Sequence, residues 1–195
     1  MNLAYRLLVP AFLVVLLPAA ATSTSEAEKR LQVAINDVVA VADRSPSSSA
    51  LAGSLRPVLE KYISFNAMTR RAVGPGWRQL SADQQSKATQ LFTTLLIRTY
   101  SKKLTPGEYP VIKFKTASAP APGRVEIPTT LSYKGSQYNV TYRMEESEGW
   151  RITDVLIEGV SFVANYRTQF DAQFKKGGST AVIDALSQSV ANVPK

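Results

Sequence analysis

The sequence predicts an α+β fold in which a four- to five-stranded antiparallel meander sheet is covered by N-terminal and C-terminal helices. Apolar residues recur at helical spacing up to residue 103 and again from residue 161. Between residues 111 and 157 they alternate with polar residues, and glycine-containing turns divide this region into short strands. Helices and strands are thus grouped along the chain rather than alternating, so a parallel α/β sheet is not expected.

The first 21 residues have the composition of a secretory signal peptide. Arg6 precedes the apolar run 7–17, and Pro18 is followed by three alanines that offer a small-residue cleavage site. The run is shorter than the roughly 20 apolar residues that span a bilayer, although a retained N-terminal anchor is the alternative. We expect cleavage before Thr22, export from the cytoplasm and one domain over residues 22–195.

Three short helices, joined by short links, are predicted between residues 26 and 73. The first covers residues 26–44, where the apolar positions form one stripe. The second begins either near Leu51 or at Pro57, with the proline in the first turn. Asn66 is predicted to cap the third helix, which ends at Val73 because a Gly-Pro-Gly sequence follows.

A fourth helix is predicted over residues 82–103. Ser81 and Gln84 have the spacing of a capping box at its start. Its apolar stripe is broad, so we expect this helix to be buried on more than one side.

Four strands are predicted, and they cover residues 111–116, 124–132, 137–144 and 150–157. Their short connections require antiparallel neighbours. On the third strand, alternate residues from Tyr138 to Met144 form one apolar face. Pro128 has no backbone donor, so we expect the second strand to lie at an edge or to contain a bulge there.

The last strand leads into the closing helices. Alternation predicts one face with Trp150, Ile152 and Asp154, and an opposite face with Thr153, Val155 and Ile157. Gly159 permits a sharp turn, and Ser161 is predicted to cap a helix that runs to residue 175. Gly177 and Gly178 separate this helix from a final one over residues 180–190.

The composition excludes several kinds of site. The chain contains no cysteine or histidine, so Cys-His and Ser-His-Asp nucleophilic sites and the usual zinc sites cannot be built. The sequence has neither a Walker motif nor GxGxxG, and no nucleic-acid-binding module accompanies the formal charge of +8. The positive charge instead favours attraction to anionic membrane surfaces or to acidic partner proteins.

Asp154 is the most unusual carboxylate in the sequence, because it is predicted on an apolar face where an unpaired charge is costly. Arg143, Arg167 or a backbone amide could satisfy it. A structural ion pair is the favoured interpretation, and the alternative is a small hydrolase that uses Asp154 or Glu158 with a tyrosine. The inward aromatic and aliphatic residues are equally consistent with an ordinary close-packed core, so periodicity does not predict a cavity.

Four segments resemble the MlaC family, also called the toluene-tolerance family, which are periplasmic phospholipid-binding proteins of the pathway that maintains outer-membrane lipid asymmetry. The segments are residues 55–77, 92–104, 138–144 and 149–170. The most specific matches are Trp150, Asp154, the Gly-Val-Ser triplet 159–161, Tyr166, Arg167 and Phe170. Ile63 and Ser64 depart from the aromatic and acidic residues that the family often has there.

The resemblance implies a periplasmic carrier with an apolar cavity between sheet and helices. It implies a lipid-binding pocket lined by Phe92, Leu95, Leu96, Tyr100, Phe114, Ile127, Tyr138, Val140, Tyr142, Trp150, Ile152, Val160, Phe162, Val163 and Tyr166. Structural roles are expected for Asp154, Gly159, Ser161, Arg143 and Arg167. The expected cargo is phospholipid, with no cofactor or metal and no catalysis.

The partners that the resemblance implies are an inner-membrane ABC transporter complex with an MCE-domain subunit and an outer-membrane lipoprotein complex. The protein itself is expected to be a monomer that does not bind nucleic acid. Two further alternatives are a carrier of another lipid, such as a hopanoid or isoprenoid, and a structural adaptor with a closed core. The adaptor predicts close packing among Phe92, Tyr142 and Trp150.

Overall fold

The computed structural model describes residues 19–45, 48–102, 104–105 and 107–193. Most of the predicted signal peptide lies outside these residues, so its cleavage stays a prediction. Among the helices of the described residues, none is long and apolar enough to cross a membrane.

The predicted α+β class is confirmed. In the described part of the chain the helices are α1 (Ala19–Arg44), α2 (Ser48–Tyr62), α3 (Phe65–Val73), α4 (Ala82–Ser101) and α5 (Phe162–Asn192), with a 3₁₀ helix at Gly74–Gln79. The strands are β1 (Val111–Phe114), β2 (Ser118–Ala121), β3 (Arg124–Tyr133), β4 (Ser136–Glu146), β5 (Trp150–Ile157) and β6 (Val160–Ser161). The helices cover the sheet as the grouping of patterns predicted.

The first three helices start earlier than predicted. Helix α1 is already formed at Ala19, upstream of the predicted start at residue 26. Helix α2 runs through Pro57 without restarting, so the start near Leu51 is the better of the two alternatives. Pro57 costs one hydrogen bond within the helix, and the burial of Leu51 and Leu55 against α1 offsets this loss.

Helix α3 begins two residues earlier than predicted. Its N-cap is Ser64 rather than Asn66, and no side chain caps it. The start is instead held by tertiary structure, because the Ser64 N–H donates to the carbonyl of Ile152 on β5 at 2.9 Å. The capping box of α4 is confirmed, with Ser81 and Gln84 exchanging hydrogen bonds of 3.2 and 2.9 Å.

The sheet is antiparallel with the order β1-β3-β4-β5-β6, and β2 also pairs with β3. The strand predicted over residues 111–116 is β1, which ends at Phe114, and the short strand β2 was not predicted. Both pair with successive parts of β3. Pro128 lies inside β3 rather than in an edge strand. The Pro128 carbonyl accepts a hydrogen bond from the Lys115 N–H, in the gap between β1 and β2. The proline nitrogen, which has no hydrogen to donate, faces the same gap, where the pairing with β3 is interrupted.

A β-bulge in β5 overturns the predicted faces of that strand. Arg143 pairs with Asp154, but the next residue of β4, Met144, pairs with Ile152, so Thr153 is the extra residue. Beyond the bulge the alternation is shifted by one residue. Val155 therefore shares a face with Ile152, and Asp154 lies on the opposite face. Strict alternation missed this because one added residue inverts every later side chain.

The closing helical region behaves as predicted. Ser161 caps α5, accepting from the Ala164 N–H at 3.0 Å. Gly177 and Gly178 have non-helical backbone angles and divide α5 into two helical parts. In the part of the chain that the structure describes, the buried side chains form three clusters: one among α3, α4 and α5, one between α1 and the sheet, and one between α1 and α2. The space between these clusters is where the candidate site lies.

Candidate functional site

An apolar cavity of about 330 Å³ lies between the sheet and the helices α2, α3 and α4. Its wall consists of aliphatic, aromatic and methionine side chains from both layers and from the start of α5. They are Leu59, Ile63, Phe65, Met68, Leu96, Ile97, Tyr100, Leu131, Val140, Tyr142, Ile152, Val155, Ile157 and Phe162. We call this space the α4 cavity.

A second cavity of about 290 Å³ lies between the same sheet face and helix α1. It is lined by Leu31, Ala34, Ile35, Val38, Val39, Leu59, Tyr62, Ile63, Leu104, Tyr109, Pro110, Ile112, Leu131, Tyr142, Ile152 and Val155. We call it the α1 cavity. Among the residues that the structure describes, no charged side chain lines either space.

The two cavities adjoin, since Leu59, Ile63, Leu131, Tyr142, Ile152 and Val155 line both. Ile63 lies at the junction of α2 and α3, and its N–H donates to the Leu59 carbonyl at 2.7 Å. Residues 63 and 152 also form a parallel bridge, which ties this junction to β5 next to the bulge. The backbone bridge between residues 63 and 152 therefore lies where the two cavities meet.

The polar side-chain atoms on these walls are tyrosine hydroxyls. Tyr62 donates to Asp37 at 2.5 Å and Tyr109 to Asp43 at 2.6 Å, so both hydroxyls are held by carboxylates of α1. The hydrogen bond from Tyr62 lowers the pKa of Asp37. Burial raises the pKa of Tyr100 to about 12, so this phenol stays neutral at physiological pH.

Six of the predicted pocket residues line the cavities: Leu96, Tyr100, Val140, Tyr142, Ile152 and Phe162. Four others, Phe92, Leu95, Val163 and Tyr166, belong to the core formed by the helices. Phe92 illustrates the reason, because its ring packs edge-on against Tyr166 at 4.8 Å between centroids, where α4 faces α5 rather than the sheet. Helical spacing identifies a buried face but not the element that covers it.

The remaining five predicted pocket residues do not line the cavities either. Phe114, Ile127 and Trp150 belong to the cluster between α1 and the sheet. Tyr138 and Val160 were expected to face inward but are 42% and 64% exposed. Both lie close to the turn at Glu158 and Gly159, where β5 leads into β6.

Sequence analysis missed most of the wall that the first three helices supply. From α2 and α3 these residues include Leu59, Ile63, Phe65 and Met68. The apolar stripe of α2 was a usable signal, but nothing in it indicates that α2 covers the strands instead of another helix. Val155 and Ile157 were missed because the bulge turns them toward the cavity.

Asp154 anchors β5 to the first turn of α5. Its carboxylate accepts from the Ser161 hydroxyl at 2.6 Å and from the backbone N–H groups of Val155 and Val163 at 2.9 and 3.2 Å. Arg143, on the opposite strand, forms a longer contact of 3.4 Å. The expected structural tie therefore involves Arg143 and backbone amides. Arg167 lies apart from it, at 3.9 Å from Asp171.

A polar cleft of about 500 Å³ lies next to this anchor. Four arginines line it: Arg71, Arg124, Arg143 and Arg167. Each is already within ion-pair distance of a carboxylate, from Glu126, Glu145, Asp154 or Asp171. The cleft is thus a network of paired charges rather than an open set of cations.

The two carboxylates considered for hydrolysis are both engaged in hydrogen bonds. Glu158 accepts from the Asn139 N–H at 2.6 Å at the β5–β6 turn, and Asp154 is held as described above. Neither lines the apolar cavities. Among the described residues, no group of three or more acidic side chains has the arrangement of a metal site. What the site can do is shield apolar groups from water.

The closed-core arrangement expected for a structural adaptor is contradicted. Phe92 packs among the helices, Trp150 packs between α1 and the sheet, and Tyr142 lines both cavities. Phe92 therefore belongs to a different cluster from Trp150 and Tyr142, and the three side chains do not form one core.

Comparison with known proteins agrees with this architecture. The model of the MlaC protein family matches residues 32–188. Among solved structures, the chain is similar to a phospholipid-binding protein from Ralstonia solanacearum that was determined in complex with a phospholipid. The two sequences are 26% identical, the match covers 87% of this chain and 99% of that one, and the TM-score is 0.80. No curated protein matches the chain significantly.

Proposed function

Because the chain belongs to the MlaC family, we propose that it is a periplasmic phospholipid carrier that holds acyl chains in its apolar cavities. The observation that carries the proposal is the pair of adjoining cavities, which have no charged lining residue in the described part of the chain and lie between the sheet and helices α1 to α4. The phospholipid complex of the similar Ralstonia protein supports the same cargo. The charged headgroup would stay at the cavity mouth, in contact with water.

The physical case for such a carrier rests on the burial of methylene groups. Each methylene moved from water into an apolar environment gains about 0.8 kcal/mol. A few polar contacts are then sufficient for affinity, in agreement with walls whose polar side-chain atoms are tyrosine hydroxyls. No reacting group is required, since the cargo enters and leaves unchanged.

We further propose that the protein exchanges lipid with an outer-membrane lipoprotein complex and with an inner-membrane ABC transporter that has an MCE-domain subunit. Family membership supports both partners, and the N-terminal signal-peptide pattern supports a periplasmic location. The formal charge of +8 favours approach to anionic headgroups or to acidic partner surfaces. The carrier is proposed to act as a monomer.

Extraction of the natively purified mature protein, followed by lipid mass spectrometry, tests the proposal. We expect phospholipid in near-stoichiometric amount, and uptake of phospholipid from vesicles after delipidation. A protein that is consistently empty and takes up no phospholipid would contradict it. Recovery of a hopanoid or isoprenoid instead would identify the alternative cargo.

A further inference from the structure

Tyr142 differs from the other tyrosines of the cavity walls. The hydroxyls of Tyr62 and Tyr109 are bound to carboxylates of α1, and Tyr100 has an interaction of its own. In the part of the chain that the structure describes, the Tyr142 hydroxyl has no hydrogen-bond partner. Burial is the cause that raises the pKa of this phenol, so it is a neutral donor at physiological pH.

The position of Tyr142 is also distinctive. It lies on β4 between Ile127 of β3 and Val155 of β5, in the middle of the sheet face that the helices cover. It lines both the α4 cavity and the α1 cavity. The side chain is partly accessible, as expected for a residue that borders open space rather than packed protein.

A phenol without a partner in an apolar space leaves hydrogen-bonding capacity unused, which costs free energy until an acceptor arrives. The other wall residues near it are aliphatic: Leu59, Ile63, Leu131, Ile152 and Val155 line the same junction. An apolar chain alone would leave the hydroxyl unsatisfied. A ligand that places one acceptor between two apolar branches would satisfy it.

We propose that the Tyr142 hydroxyl donates a hydrogen bond to an ester carbonyl of the bound lipid and so selects lipids with acyl ester linkages. The inference rests on the proposed carrier function and adds a specificity-determining residue to it. In a diacyl phospholipid the ester carbonyls stand where the two chains diverge. Tyr142 stands where the two cavities meet, so one chain in each cavity brings a carbonyl toward its hydroxyl.

The test compares two phosphatidylglycerols of equal chain length, one with two ester-linked chains and one with two ether-linked chains. The ether lipid has the same apolar volume and headgroup but no carbonyl. We expect the delipidated wild-type protein to bind the ester lipid about five- to tenfold more tightly, as the loss of one hydrogen bond would predict. Tyr142→Phe should bind both lipids equally.

Tyr133→Phe is the matched control. Tyr133 lies at the end of β3, where its ring lies 5.3 Å from the Lys134 ammonium, and it lines neither cavity. This variant should keep the wild-type ester preference. A wild-type protein with no preference, or a Tyr142→Phe protein that retains it, would overturn the proposal.

A measurement on the wild-type protein tests the same hydrogen bond without a variant, so its result does not depend on whether Tyr142→Phe folds. The carbonyl stretching band of an isotope-labelled ester lipid should shift to lower frequency in the bound state, relative to the same lipid in a dry apolar solvent. An unshifted band in the bound lipid would also overturn the proposal. If wild-type protein binds neither lipid, the carrier function itself fails, and this outcome is distinct from binding both lipids without preference.

Discussion

Asp154 shows how one side chain joins two elements. A carboxylate that accepts from the Ser161 hydroxyl and from two backbone N–H groups satisfies donors at the end of β5 and in the first turn of α5. Its negative charge also lies at the positive end of the helix dipole. Because the residue is only 6% exposed, solvent cannot replace these contacts easily. The residue that first suggested catalysis is therefore explained by its structural contacts.

Asp154→Asn should destabilise the fold by about 1–3 kcal/mol. The asparagine side chain is uncharged, and its NH₂ group replaces one of the two carboxylate oxygens that accept hydrogen bonds. At least one of these hydrogen bonds is therefore lost. Urea denaturation followed by circular dichroism measures the change. The folded variant should still take up lipid, whereas loss of a turnover reaction with unchanged stability would support the hydrolase alternative.

Asp171→Asn provides the control for that variant. Asp171 lies on α5, is about half exposed and contacts Arg167 at 3.9 Å. Exposed ion pairs contribute about 0–1 kcal/mol, so this change should have little effect on the free energy of unfolding. Equal losses for the two variants would argue against the anchoring role of Asp154.

At the scale of elements, the bulge in β5 decides what each face of the strand does. The extra residue, Thr153, lets Ile152 and Val155 both face the cavities while Asp154 points to the opposite side. A regular strand would place Asp154 in the apolar wall, where an unpaired charge is costly. The bulge thus separates the lining of the cavities from the anchor of α5.

Two glycines should respond oppositely to alanine substitution. Gly53 is exposed within α2, and a Cβ there would meet no atom within 4 Å. Gly53→Ala should stabilise the protein by about 0.5–1 kcal/mol, because alanine has the higher helix propensity. Gly159 has a φ of 77° in the β5–β6 turn, so Gly159→Ala should destabilise by about 1–2 kcal/mol.

Urea midpoints of the two variants, measured beside the wild type, test this pair. Both sites are sterically open, so the difference isolates backbone conformation from packing. A stabilising Gly159→Ala change would show that the turn does not require the left-handed conformation.

At the scale of the whole molecule, the buried side chains of the described residues form three clusters, which are linked only through partly buried residues such as Leu59 and Ile63. Helix α1 packs on the sheet through Leu31 and Ala27, while α3, α4 and α5 pack on one another. The sheet face between these contacts is left facing open space. This division distinguishes a wall that can hold apolar cargo from an interior filled by protein.

Val155→Phe should fill part of this space without loss of stability. Val155 lines both cavities and is half-buried, so the larger ring can extend into open volume. The ring would displace about two methylenes of cargo, which predicts a roughly tenfold loss of lipid affinity. Vesicle uptake and urea denaturation measure the two effects separately.

The same enlargement in a packed region is the control. Val125 is 1% exposed between α1 and the sheet. Val125→Phe should therefore cost about 1–3 kcal/mol of stability. If Val155→Phe destabilised the protein to the same extent and left lipid uptake unchanged, the cavity interpretation would be wrong.

The sequence by itself determined the features that depend on neighbours in the chain. The capping box of Ser81 and Gln84, the Ser161 cap, the break at Gly177 and Gly178 and the antiparallel strands all follow from local hydrogen bonding and backbone freedom. The sequence also predicted structural contacts for Asp154, but its premise, a position on the same face as Ile152, was wrong because the bulge places Asp154 on the opposite face.

Only the tertiary structure decided which apolar faces meet and which stay apart. Tyr142 and Phe92 were both predicted to line the pocket, yet Tyr142 borders open space and Phe92 packs against Tyr166 and Phe170. The bulge at Thr153 is likewise set by pairing with β4. Hydrophobic burial is non-directional, so periodicity specifies that a face is covered, whereas the distance between the covering layers decides whether a cavity remains.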